Sequence, residues 1–162
     1  MADIVNEYKR KFLVVVDGSK EADRAITFAA HRVKRTGGIV VLLSVIDSQD
    51  FTQFIGVEDV MRAEAREEAD RVLESKRARI ANIGDGIRTE TVIREGDILV
   101  EIEALVRQDP AIAILVLAAA TGKEGPGPLV SAFASRAHQS PLPVIVTIIP
   151  GSMTDEQIVA VT

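Results

Sequence analysis

The stretch Ala111–Ser131, AIAILVLAAATGKEGPGPLVS, decides how this chain folds. Its opening run, Ala111–Ala120, is apolar without alternation. A strand with one wet face would alternate, so this run predicts a strand covered on both faces, as in a parallel sheet. The run breaks into a loop holding Gly122, Gly125, Pro126, Gly127 and Pro128, and Ser131 follows where a helix can begin. Strand, Gly-rich loop and helix start together make a backbone concavity beside helix-end amides, an arrangement that holds phosphates. An ordinary βα turn has the same signature, so the stretch alone leaves both readings open.

Working outward, Phe12–Asp17, FLVVVD, reads as a central strand ending at Asp17-Gly18-Ser19. Ser19 is a candidate N-cap for a helix with Ala22, Ala25, Ile26, Ala29 and Val33 on one face. Gly37 and Gly38 stop it, and Ile39–Ile46 is a second fully buried strand. Residues 12–46 therefore predict a βαβ unit with a right-handed crossover. The loop 47–56 carries Phe51 and Phe54, expected to be exposed. A long helix follows over about Val57–Ile83, with a stripe of Met61, Ala65, Ala69, Val72, Leu73 and Ile80 against a solvated charged face. Ile87–Ile93 alternates and predicts a strand near a sheet edge. Asp97 caps a helix with Ile98, Leu99, Ile102, Leu105 and Val106 on its apolar face, ended by Asp109-Pro110. A short helix over about Ser131–Gln139, a last strand at Val144–Ile149 and a tail at Gly151–Thr162 complete the chain. Strands alternating with helices predict an α/β fold with a doubly wound, five-stranded parallel sheet and helices on both faces. If the strand order is 3-2-1-4-5, the turn at Asp17 and the Gly-rich loop face each other at the switch point, where such sheets bind ligands.

Composition narrows the function. At 162 residues with 47% hydrophobic residues, one globular domain over residues 1–162 is expected: a core of about 10–150, a polar N-terminal arm and a C-terminal tail. A formal net charge of −5 argues against nucleic acid as a partner. No cysteine is present, which excludes disulfides, thiolate chemistry and Cys-type zinc sites. The start, MADIVNEYKRK, lacks an apolar leader core and no run is long enough to span a membrane, so a cytoplasmic protein without membrane attachment is expected.

The set FLVVVDGSKEADRAITFAAHRV, VVLLSVID, REGDILVEIEALV and AILVLAAA…SAFASRAHQSPLPVIVTIIP resembles the universal stress protein family in order and spacing, over about residues 10–150. The resemblance implies a 3-2-1-4-5 sheet and a homodimer. In one subclass it also implies ATP or another adenine nucleotide, which could carry magnesium. By that resemblance Asp17 contacts the adenosine end, backbone at Ser44–Val45 meets the base, and phosphates and ribose lie on a loop of pattern Gly, two residues, Gly, nine residues, Gly, then Ser or Thr. Here Ser131 fits the last position, but Ala118 and Val130 stand where the family has glycine, and a Cβ there can keep phosphate from the backbone. Gly122, Gly125 and Gly127 sit elsewhere and could form a different anion cradle, with Lys123 as countercharge. The cofactor-binding candidates are thus Asp17, Gly18, Ser19, Val45, Ala118, Gly122, Gly125, Gly127 and Ser131.

Each candidate has a plainer role. Asp17 could cap its own turn, Ser131 could be a helix N-cap, and Lys123 could be only a solvated loop lysine. His31 and His138 lie on expected helices without a nucleophile arranged beside them, so no catalytic residue is assigned. Gly122-Lys123 is followed by Glu124, so the hydroxyl that a Walker loop gives to magnesium is missing. Three functions compete: a nucleotide-binding stress-response module, a homodimeric interaction module with an empty cleft, and a slow nucleotide hydrolase. The hydrolase ranks last, since only Asp17 and Glu124 could activate water near the cleft. The expected dimer contact is Val144–Ile149, an apolar edge strand that a second copy would cover. Thr154–Gln157 reads as a capping box, and the short helix after it is expected to lie over that seam.

Overall fold

A computed structural model describes residues 10–51, 55–136 and 142–162. Five strands form one sheet: β1 (Lys11–Val15), β2 (Ile39–Ile46), β3 (Arg88–Glu95), β4 (Ile112–Ala119) and β5 (Ile145–Pro150). Their order is β3-β2-β1-β4-β5 and every pairing is parallel. The helices are α1 (Ala22–Thr36), α2 (Glu58–Ile83), α3 (Ile98–Gln108), α4 (Pro128–Arg136) and α5 (Asp155–Val161), with a 3-10 turn at Ser48–Phe51.

The apolar runs are buried on both faces because strand side chains alternate between two helical layers. Phe12, Val14 and Val16 pack with Ala25, Ile26, Ala29 and Val33 of α1, Leu73 and Ile80 of α2, and Ile158 of α5. Leu13 and Val15 pack on the opposite face with Ile102, Leu105 and Val106 of α3 and Leu129, Val130 and Phe133 of α4. This is the doubly wound α/β arrangement that the unalternating runs predict. The alternating strand β3 forms one edge, half-buried along its length, and β5 forms the other. On β5, Ile149 is buried while Ile145 and Ile148 are exposed. At the N-terminal end of the sheet, Lys11 donates to Glu90 at 2.9 Å and to Asp109 at 2.7 Å, tying β1 to β3 and to the end of α3. Burial pulls its ammonium down, but the bonds to Asp109 and Glu90 prevail and hold it above the ordinary lysine value.

Several local expectations are corrected. Helix α1 begins at Ala22, and Ser19 does not cap it: a turn over residues 20–21 intervenes, and the position before the helix, Glu21, makes no side-chain cap bond. Helix α4 begins at Pro128 rather than Ser131. Gly127 takes a left-handed φ of 101° and its carbonyl accepts the Ser131 N–H at 3.0 Å, while proline's fixed φ suits the first helical position. The rest of that expected helix, 137–139, and His138 lie outside the described residues, as does Phe54. Phe51 is buried, not exposed, because the Arg62 guanidinium of α2 lies 5.5 Å from its ring centroid.

The tail helix α5 has the expected capping box, with Thr154 and Gln157 bonding each other's backbone. Its seat is different. It packs on α1, where Ile158 is fully buried, rather than along β5. Arg24 fixes it by donating to the Met153 carbonyl at 3.1 Å and pairing with Asp155 at 2.7 Å, and Arg32 donates to the Thr162 carbonyl at 3.0 Å.

Candidate functional site

Strands β1 and β4 are neighbours whose following helices leave on opposite faces, so the chain parts at their C-terminal ends and opens a cleft. After β1, Val16 still gives its N–H to the Leu43 carbonyl at 2.8 Å, and Asp17 is the first exposed residue. Its carboxylate takes up the Ser19 N–H through one oxygen, an Asx turn that leaves the other oxygen open. After β4, the loop is cinched where the Ala120 N–H donates to the Pro126 carbonyl at 3.0 Å. Gly125, with φ of 104°, and Gly127 supply the left-handed backbone this closure needs.

The cleft has two lobes. The deeper, of about 110 Å³, is lined by Asp17, Ser19, Glu21, Ala118 and Gly127, with apolar walls that include Val15 and Leu117. The shallower is an open trough of about 680 Å³ over the loop, lined by Gly122, Lys123, Glu124, Gly125 and Ser131. Ala120, Gly127 and Pro128 border both. Seven of the nine candidate residues therefore meet in one place. Gly18 and Val45 line neither lobe, and the Val45 side chain packs on the α3 and α4 side of the sheet. Val130 is buried in that same core cluster, whereas Ala118 borders the deep lobe directly.

Two residues that sequence reasoning did not assign to the site belong to its surroundings. Glu21, given no role from the sequence, lines the deep lobe because α1 starts late. Gly151 follows β5, and a Cβ there would strike the Ala119 carbonyl oxygen, with Glu21 Cγ at 2.7 Å and Thr121 Cγ2 at 3.0 Å. The signal for Glu21 was its spacing, four residues after a strand-end aspartate. The Pro150-Gly151 pair at the end of an apolar run was the signal for Gly151.

The chemistry on offer is that of a binding cleft. Carboxylates can accept hydrogen bonds, loop amides and the Ser131 hydroxyl can donate them, and the walls are apolar. Among the described residues no group of three or more His, Cys, Asp or Glu could hold a metal ion. His31 lies far from the cleft, in a groove with Thr27, Arg79 and Asp155. Burial and the nearby Lys34 lower its pKa below the ordinary histidine value, with Asp155 opposing them.

A family model described as the universal stress protein family matches residues 9–147. The chain belongs to the universal stress protein family. Solved structures agree with this universal stress protein in fold. A universal stress protein UspA from Lactobacillus plantarum is 24% identical, with a TM-score of 0.67 over 86% of this chain and 98% of that one. A protein of the family from Burkholderia pseudomallei is 21% identical, with a TM-score of 0.65 over 88% and 96%. A universal stress protein solved in complex with cAMP is 17% identical, with a TM-score of 0.58 over 90% and 99%. No curated protein matches the sequence. No helix among the described residues of this universal stress protein is long and apolar enough to cross a membrane.

Proposed function

We propose that this universal stress protein is a stress-response module that binds an adenine nucleotide, such as ATP, in the two-lobed cleft. The observation that carries this reading is the meeting of the Asp17 turn and the loop 120–131 where the strand order reverses, the place at which doubly wound sheets take their ligands. In this reading the deep lobe takes the adenosine end against Val15 and Leu117, and Asp17 accepts from a ribose hydroxyl. Phosphate then lies in the trough, over the amides of Gly122, Gly125 and Gly127 and within reach of Ser131. A family member solved with cAMP supports nucleotides as the ligand class. The described residues offer no magnesium site of their own, so magnesium would arrive on the ligand's phosphates. Residues 1–162 act as one domain in the cytoplasm, and two copies pair through β5.

The test is to denature purified protein and assay the released nucleotide, then to follow melting with adenosine, cAMP, AMP, ADP and ATP. Bound nucleotide on release, or a rise in melting temperature with any of the five, is the expected result. Nothing released and no shift would refute the reading. In that case the homodimeric interaction module stands instead, a second reading favoured by the exposed Ile145 and Ile148 on the β5 edge.

A further inference from the structure

The tail helix α5 carries an inference about what holds the cleft in shape. It rests on the two-lobed cleft as the site, not on the ligand that fills it. α5 lies beyond residues 9–147, so it is an addition to the matched domain. Its fastenings run to α1: Ile158 is fully buried in the core on that side, Arg24 holds the Met153 carbonyl and Asp155, and Arg32 holds the Thr162 carbonyl.

The root of α5 stands against both walls of the cleft. β5 ends at Pro150, paired with Ala119, and Gly151 follows. A Cβ added at Gly151 would strike the Ala119 carbonyl oxygen and come to 2.7 Å from Glu21 Cγ and 3.0 Å from Thr121 Cγ2. Glu21 lines the deep lobe from the α1 side. Thr121 lies between Ala120 and Gly122, which line the cleft from the loop side. Arg24 joins the two structures. Its N–H donates to the Glu21 carbonyl at 2.9 Å, and its guanidinium holds the root of α5. The Glu21 side chain makes no cap bond of its own, so the turn that forms this wall is braced from outside. The brace is also separable. Seven residues are too few for a helix to persist alone in water, so α5 is helical when seated and melts when it leaves. Its ion pair is weak, because Asp155 is 61% exposed, and elements held in this way open before a sheet core does.

We infer that α5 is a strap on the cleft: seated, it fixes the Glu21–Arg24 turn against the loop after β4, and released, it loosens both walls together. Site-resolved hydrogen exchange of the full chain tests this without any nucleotide, so its outcome stands apart from the nucleotide reading. A Thr154→Ala, Asp155→Asn double variant removes the capping box and the ion pair at exposed positions outside the cleft. In it the α5 amides exchange about fivefold faster or more, the effect of one lost N-cap. The Ala22, Arg24 and Ala120 N–H groups, bonded to Ser19, Glu21 and Pro126, rise with them. The Ile39 N–H, bonded to Arg10 at the far end of the sheet, keeps its parent rate. Ile158→Ala, which loosens the strap at its buried anchor and leaves Arg24 untouched, repeats the pattern. Faster exchange in α5 with Ala22, Arg24 and Ala120 unchanged overturns the inference, since α5 is then only a cover on α1. A rise that includes Ile39 equally, or α5 amides that speed up in neither variant, overturns it as well, since α5 then opens only with the whole fold.

Discussion

Gly151 offers the sharpest test of the geometry around the cleft. Replacing it with alanine adds one methyl group, and what that methyl meets can be read directly. Its nearest neighbour is the Ala119 carbonyl oxygen, followed by Glu21 Cγ at 2.7 Å and Thr121 Cγ2 at 3.0 Å. The two side chains can rotate away at little cost. The carbonyl cannot, because Ala119 is paired with Pro150 in the last step of the β4–β5 ladder. The backbone must shift at the end of that ladder, and overpacking of this kind costs about 1–3 kcal/mol. With the obstacle fixed in a sheet, the upper end applies, about 3 kcal/mol. At this chain length each kcal/mol moves the melting temperature by about 2–4 °C, so Gly151→Ala should melt about 6–12 °C lower. Gly122→Ala is the control. A Cβ at Gly122 meets nothing within 4 Å and its backbone is not left-handed, so it should stay within about 0.5 kcal/mol of the parent. Thermal denaturation followed by circular dichroism measures both. The reasoning is refuted if Gly151→Ala melts within 2 °C of the parent, or if Gly122→Ala falls as far as Gly151→Ala.

Three further outcomes are expected. His31 has a lowered folded-state pKa, so the folded protein binds fewer protons than the unfolded chain below about pH 6.5, and stability should fall as pH drops past that value. Urea midpoints between pH 7 and 5 should show that acid limb, and His31→Gln should flatten it. Lys11→Met leaves Asp109 and Glu90 without their shared ammonium, whose side chain is only 16% exposed, and should cost about 2 kcal/mol in urea denaturation. Because the Lys11 pKa is raised, its stabilisation is present below about pH 10.4 and is lost as pH climbs through the folded-state value, so the parent and the variant should converge there. If β5 pairs two copies, Ile145→Lys should yield a monomer of 17.5 kDa in sedimentation with the melting temperature nearly unchanged, because Ile145 is 67% exposed and contributes little to its own core.

The layers were legible because they depend on long apolar signals, whereas the full strand order came from the family resemblance. β1, β2 and β4 read as doubly covered strands, and the alternation in Ile87–Ile93 put β3 at an edge. Starts of helices were not, because they turn on the backbone angles of a few turn residues. Ser19 has the chemistry of a cap, yet the Asx turn at Asp17 is followed by one further turn, and the helix starts at Ala22, past the reach of the Ser19 hydroxyl's capping position. Ser131 likewise loses to Gly127 and Pro128, whose backbone angles start the helix three residues sooner. Phe51 and α5 failed for a different reason. Phe51 is covered by Arg62, eleven residues on, and α5 is fastened through Arg24 at a separation of 129 residues. No local pattern encodes such pairings.

The site divides along the same line. That Asp17 would face the Gly-rich loop followed once the strand order implied by the family resemblance was taken, since β1 and β4 bracket the reversal. The electrical character of the cleft did not follow. It is set by Asp17, Glu21, Lys123 and Glu124, drawn from two turns about a hundred residues apart. In sequence, Glu124 stands near the cleft only as a possible base, and Glu21 has no part in it. Their shared effect on a ligand appears only when topology brings the two turns to one cleft.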